Sequence, residues 1–210
     1  MAQNKPVPDG NGRGLVSVLI ARFSAIGDVA MTVPVIYSAC RCYPDVRFVM
    51  VTRQSMTGIF VNAPGNLVVE GVDVADDYKG PLGMRRLIAE LDGKYDFDTF
   101  IDLHDVIRTR LMGIWGMMRG IRTVRLNKGR DDKRALTRRN NKVMLPLTSQ
   151  RARYREAFFK AGLPLTDRFD GLYSGRSKAD PAMFAAITGP KPPGERWIGV
   201  APFAAHAGKI

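Results

Sequence analysis

The first candidate chemistry in this chain sits in a seven-residue turn. A short, mostly apolar run from Leu15 to Ala21 is followed by Arg22-Phe23-Ser24-Ala25-Ile26-Gly27-Asp28, and a helical pattern comes next. The turn holds neither GxGxxG nor GxxxxGK[ST], so it lacks the glycines with which such loops bring backbone amides to phosphate. It presents a carboxylate instead. At the carboxyl end of a strand, Asp28 would face the crevice where open α/β sheets bind ligands. There it could act on a bound substrate and not merely hold a phosphate. Asp is equally a common helix cap, and the residues alone leave both roles open. Gly27 suits either one, because a tight turn can need positive φ.

A second group lies at 102–110. Asp102, His104 and Asp105 fall at the carboxyl end of a strand predicted over 98–102, and Arg108 and Arg110 follow on the next helix. These residues are expected to face the same crevice as Asp28. Asp96-Phe97-Asp98 spells D-x-D, a pattern that binds a metal diphosphate in some transferases. It stands just before a strand, where Asp is an ordinary turn residue. The third group is basic. Residues 122–142 carry nine Lys and Arg against two Asp, with almost no apolar content after Leu126. Arg53, Arg122, Arg125, Arg130, Arg134, Arg138 and Arg139 are therefore candidates for binding phosphate or carboxylate oxygens in bidentate fashion. The segment is expected to be exposed and mobile.

Alternating strands and helices must position these groups. Strands are predicted over 15–21, 46–52, 67–71, 98–102 and 121–125, and near 169–173. Helices are predicted near 28–43, 54–61, 84–92, 105–119, 150–161 and 180–187. Strands joined by helical crossovers give a mainly parallel sheet between helical layers. Pro34 cannot sit inside a continuous helix, since its ring clashes with the carbonyl of Ala30. A kink or a restart is expected there. Residues 1–14 read as a flexible lead-in, 15–188 as one α/β domain, and 189–195, which includes Gly189-Pro190-Lys191-Pro192-Pro193-Gly194, as a linker. A new buried strand is predicted to open at Trp197.

Three stretches resemble the lipopolysaccharide heptosyltransferases, glycosyltransferase family 9. R-F-S-A-I-G-D-V followed by T-V-P-V-I is similar to that family's amino-terminal signature. Y-D-F-D-T-F-I-D-L-H, from Tyr95 to His104, is similar to its YDxxIDL strand. I-G-V-A-P-F-A-A-H-A-G-K, from Ile198 to Lys209, is similar to the strand and phosphate loop that open its second domain. The resemblance implies a Rossmann-like three-layer sandwich, the amino-terminal domain of a GT-B fold, with 196–210 beginning a truncated donor-binding domain. It further implies an inverting transfer of a heptose-like sugar from a nucleotide diphosphate donor, ADP-heptose-like, to an anionic glycolipid acceptor, without cofactor or metal. Asp28 would be the base. Ser24, Ala25, Gly27, His104 and the arginines named above would line the acceptor side, and Lys209 would meet the donor's phosphates. On this reading the chain is an amino-terminal portion of a longer protein, or a truncated gene product, and is inactive alone. A cytoplasmic location follows, with scope for peripheral contact at the inner membrane.

Composition narrows the partners. The net charge of +12 across 210 residues calls for an anionic partner. Cys40 and Cys42 lie two apart on a predicted helix, so their side chains diverge and no bridge is expected, which suits a reduced compartment. The alternative is a basic α/β protein that binds nucleic acid. Residues 122–142 hold no aromatic to stack on bases, which counts against it. A dehydrogenase-type nucleotide enzyme is disfavoured by the missing glycine fingerprint.

Overall fold

Four of the five strands carry apolar residues on both faces, and each face has its own helical cover. The computed structural model describes residues 17–174, 185 and 187–200. The strands are β1 (Ser17–Ala21), β2 (Arg47–Arg53), β3 (Leu67–Val72), β4 (Thr99–Asp102) and β5 (Arg122–Arg125). They form one sheet in the order β3-β2-β1-β4-β5, every pairing parallel. The helices are α1 (Ile26–Ala30), α2 (Val33–Cys42), α3 (Gly80–Tyr95), α4 (Ile107–Met117), α5 (Arg130–Thr137) and α6 (Gln150–Lys160).

Successive strand residues point to opposite faces. Val18 and Ile20 therefore join Phe48, Met50 and Ile101 in a core closed by Ile36 and Tyr37 of α2 and Tyr154 and Phe158 of α6. Leu19 and Ala21 join Val49, Val51 and Phe100 in a second core, closed by Met84, Leu87 and Ile88 of α3 and Met112 of α4. The result is the Rossmann-like three-layer arrangement, with β1 at its centre.

Pro34 produces a restart. α1 ends at Ala30, and α2 begins at Val33 with Pro34 in its first turn, where a missing N–H costs nothing. Thr32 bridges the two: its hydroxyl donates to the Val29 carbonyl at 2.7 Å, and its own carbonyl accepts from Val35 and Ile36.

Several local expectations need correction. Residues 54–59 form a 3-10 helix, since so short a segment holding Gly58 is a poor α-helix nucleus. No strand forms at 169–173: Gly171 has a φ of 131°, and Phe169 and Leu172 pack onto the first core instead. Residues 197–200 are irregular and exposed. The basic segment carries the expected strand, β5 at 122–125, and also a helix that was not expected, α5 at 130–137. That helix starts after Gly129 in the left-handed region, with Asp131 and Asp132 in its first turn and Arg134 in its last, charges that suit its dipole.

Two compact units divide the chain, Met1–Ser174 and Gly175–Ile210. Residues 1–14, most of the helix expected at 180–187, and residues 201–210, Lys209 and His206 among them, lie outside the described residues.

Candidate active site

Asp28 stands just beyond the carboxyl end of β1, in the first turn of α1. It does not cap that helix. The cap position is Ala25, and no side chain bonds there. The Asp28 carboxylate instead takes a hydrogen bond and ion pair at Oδ2 from Arg22. Arg22 is itself buried, donates to the Leu103 carbonyl at 2.5 Å, and lies 5.8 Å over the Tyr154 ring. The Tyr154 hydroxyl in turn donates to the Asp28 carbonyl at 3.1 Å. One buried guanidinium thus ties the β1 turn to the end of β4, and a tyrosine of α6 ties it to the helical layer that α6 shares with α2.

Beside this turn opens a cleft of about 490 Å³, at the carboxyl ends of the strands. Phe23 and Ser24 line it from the β1 turn, Arg53 from the end of β2, and His104 and Asp105 from the end of β4. Arg108 and Arg110 come from α4, and Lys128 and Arg130 from the segment after β5. Five cations face a single lining carboxylate. Asp105, at φ 49°, organises three of them: Arg110 donates to its Oδ1 at 2.7 Å, Arg130 lies 3.6 Å from Oδ2, and Lys128 donates to its carbonyl at 2.8 Å. Burial alone would raise the Asp105 carboxyl, but Arg110, Lys128 and Arg130 hold it below its ordinary value. Burial pulls Lys128 below its ordinary value, against the pull of Asp105.

His104 is nine-tenths buried, and its Nε2 lies 3.1 Å from the Ser24 hydroxyl. Burial foremost, then the charges of Arg22 and Lys128, push its imidazole down to about 4. It is therefore neutral at pH 7, and can exchange a hydrogen bond with Ser24 without adding charge to the cleft. Asp102, fully buried behind it, accepts from the His104 and Asp105 amides at 2.8 Å each and so shapes the loop.

The fold thus brings Ser24, Arg53, His104 and Arg130 to one cleft, with Asp28 beside it; Ala25 and Gly27 lie in the same turn. Other predicted site residues stand elsewhere. Arg122 is at the amino end of β5 and donates to the Lys160 and Ala161 carbonyls, closing the C-terminus of α6 at the far edge of the sheet. Arg125 ends β5 on the cleft's side of the sheet, outside the lining. Arg134 lies 3.8 Å from Asp131, and Arg138 donates to the Asn141 carbonyl; both are exposed, as is Arg139. Asp96 and Asp98 lie before β4, at the amino edge. Among the described residues no group of His, Cys, Asp or Glu could hold a metal ion. Arg22 and Lys128 are the residues that sequence reasoning passed over. The signal for Arg22 was available, since an arginine directly after a buried strand must find a partner.

No family model matches the chain, and no curated protein does. Solved structures do. A glycosyl transferase family 9 protein from Veillonella parvula DSM 2008 matches with a TM-score of 0.54 and 15% identity, over 84% of this chain and 51% of that one. The E. coli heptosyltransferase WaaC matches with ADP (TM-score 0.48, 20% identity, 74% and 50% covered) and with ADP-2-deoxy-2-fluoro heptose (0.47, 20%, 74% and 51%). The chain spans about half the length of each. At such identities the likeness speaks to fold: this chain shares the α/β fold of the Veillonella glycosyltransferase family 9 protein over about half of that protein's length.

Proposed function

We propose that this chain is the acceptor-side half of an inverting glycosyltransferase that moves a heptose-like sugar from a nucleotide diphosphate to an anionic, lipopolysaccharide-type glycolipid. The carrying observation is Asp28: a carboxylate held by buried Arg22, beside a cleft whose lining is dominated by five cations. Arg22 engages Oδ2 and leaves Oδ1 for the acceptor's proton. As that proton passes to Asp28, the acceptor oxygen attacks the sugar's anomeric carbon from the face opposite the diphosphate, and the bond to the phosphate oxygen breaks. The cleft's arginines suit the acceptor's phosphates or acidic sugars. The neutral Ser24–His104 pair suits an uncharged hydroxyl among them. The donor class rests on the sequence resemblance, which also assigns the diphosphate to Lys209. On this reading the chain alone transfers nothing.

The test is Asp28→Asn in the protein that carries both halves. The substitution keeps size and removes the base. Turnover is expected to fall at least tenfold, the lower part of the range for a general base, with donor affinity nearly intact. A smaller fall would leave Asp28 a structural partner of Arg22 and remove the mechanism.

A further inference from the structure

Between α5 and α6 the chain leaves an apolar run in the open. Val143, Met144, Leu145 and Leu147 are 39%, 76%, 68% and 38% exposed, within a stretch that has no helix or strand. None of them packs into either core. The Val143 amide donates to the Ala135 carbonyl at 3.1 Å, which turns the run back along α5. The apolar residues therefore stay beside the exposed cations Arg130, Lys133, Arg134, Arg138, Arg139 and Lys142. The two acids nearby are each within 4 Å of an arginine, Asp131 of Arg134 and Asp132 of Arg153. Arg153 also anchors the start of α5 from below, packing under Gly129 and donating to the Asn127 carbonyl at 3.3 Å.

We propose that α5 and residues 138–147 form a docking surface for the anionic face of a lipid bilayer. The apolar run enters the headgroup boundary, and the flanking cations meet lipid phosphates. Exposed apolar side chains bordered by Lys and Arg are the arrangement that interfacial binding requires: buried apolar area supplies part of the affinity and attraction to anionic lipid the rest. A nucleic acid would engage the cations but leave the apolar run idle, and residues 122–142 offer no aromatic for stacking. A second copy of this chain would set one basic surface against another. The proposal extends the proposed function by naming the surface that would hold the protein where a lipid-linked acceptor lies.

Sedimentation of this chain with vesicles tests it. Vesicles of phosphatidylcholine mixed with phosphatidylglycerol should bind the protein, with affinity falling as salt rises, and vesicles of phosphatidylcholine alone should bind far less. Each cation removed near such a surface should cost roughly fivefold, so Arg134→Gln, Arg138→Gln and Arg139→Gln together should weaken binding about a hundredfold. Met144→Ser with Leu145→Ser should weaken it about tenfold or more, through lost apolar burial. All five positions are exposed, so melting temperature should hardly move. In a Leu145→Trp variant the emission should shift to the blue with anionic vesicles. Equal binding to both vesicle types, full binding by either variant, or an unshifted tryptophan would overturn the proposal. So would concentration-dependent dimerisation lost in the Met144 and Leu145 variant, or salt-dependent binding of DNA with none to vesicles. Vesicle binding is read without turnover, so either result leaves the transferase reading where it stands.

Discussion

Replacing Arg22 with Met should expose how the β1 turn is held. Met keeps the length and apolar stem of the side chain and removes the guanidinium. Three contacts go with it: the bond to the Leu103 carbonyl, the pair with Asp28, and the stack on Tyr154. The first is a buried hydrogen bond from a charged donor, about 2 kcal/mol. The second is worth no more than about 1 kcal/mol, because the Asp28 side chain is 36% exposed and water shares its charge. The third adds about 1 kcal/mol. Against these, a charge no longer has to be kept from water, which returns roughly 1 to 2 kcal/mol. The net loss is about 2 kcal/mol, a fall of about 4 to 8 °C in melting temperature for a protein of this size. Thermal unfolding of wild type, Arg22→Met, Asp28→Asn and the double variant measures both the loss and the coupling. The coupling should be about 1 kcal/mol or less, carried by the half-exposed pair. An Arg22→Met protein that melts with wild type would refute the account of the turn. A coupling of zero would show that Arg22 and Asp28 act independently, and would leave the carboxylate without its orienting partner.

Two further outcomes follow from groups in and near the cleft. His104 should make stability depend on pH. Its folded value of about 4 lies below its ordinary 6.5, so between these pH values the unfolded imidazole takes a proton that the folded one refuses. Stability should therefore be full above pH 6.5 and decline as pH falls toward 4. Urea titrations at a series of pH values should show this component vanish in His104→Gln, and an unchanged slope would place the titrating group elsewhere. Gly129→Ala should destabilise the start of α5, since the residue has a φ of 54° and a Cβ would fall 1.8 Å from the Arg153 guanidinium. A loss of about 2 kcal/mol, with faster amide exchange in α5, is expected, and wild-type stability would mean that Arg153 moves aside freely.

The sequence by itself determined the sheet. The inner strands β1, β2 and β4 were legible because a strand buried on both faces must be apolar at successive positions, and that signal survives without neighbours; β5, Arg-Thr-Val-Arg, carries no such run. The restart at Pro34 was legible too, because ring and carbonyl clash within one turn. So was the place of Asp28, since a residue seven positions past a buried strand cannot leave that strand's carboxyl end. One failure has the same origin. At 169–173 Phe169, Leu172 and Tyr173 suggested a strand, but a strand also needs an edge to pair with, and side-chain content does not show whether one is in reach.

The cleft was decided by tertiary structure alone. Ser24 and His104 are eighty positions apart and meet only because β4 pairs directly with β1. Arg53 reaches the same space because β2 pairs with β1 on the other side. Arg122 and Arg130 carry the same charge eight positions apart in one basic segment. Yet one closes a helix at the amino edge of the sheet and the other faces Asp105 at the carboxyl edge. Sequence shows that a charge is present. Where it acts depends on distance through space, because hydrogen bonding fades within a few ångströms and Coulomb attraction within about ten once water and salt intervene.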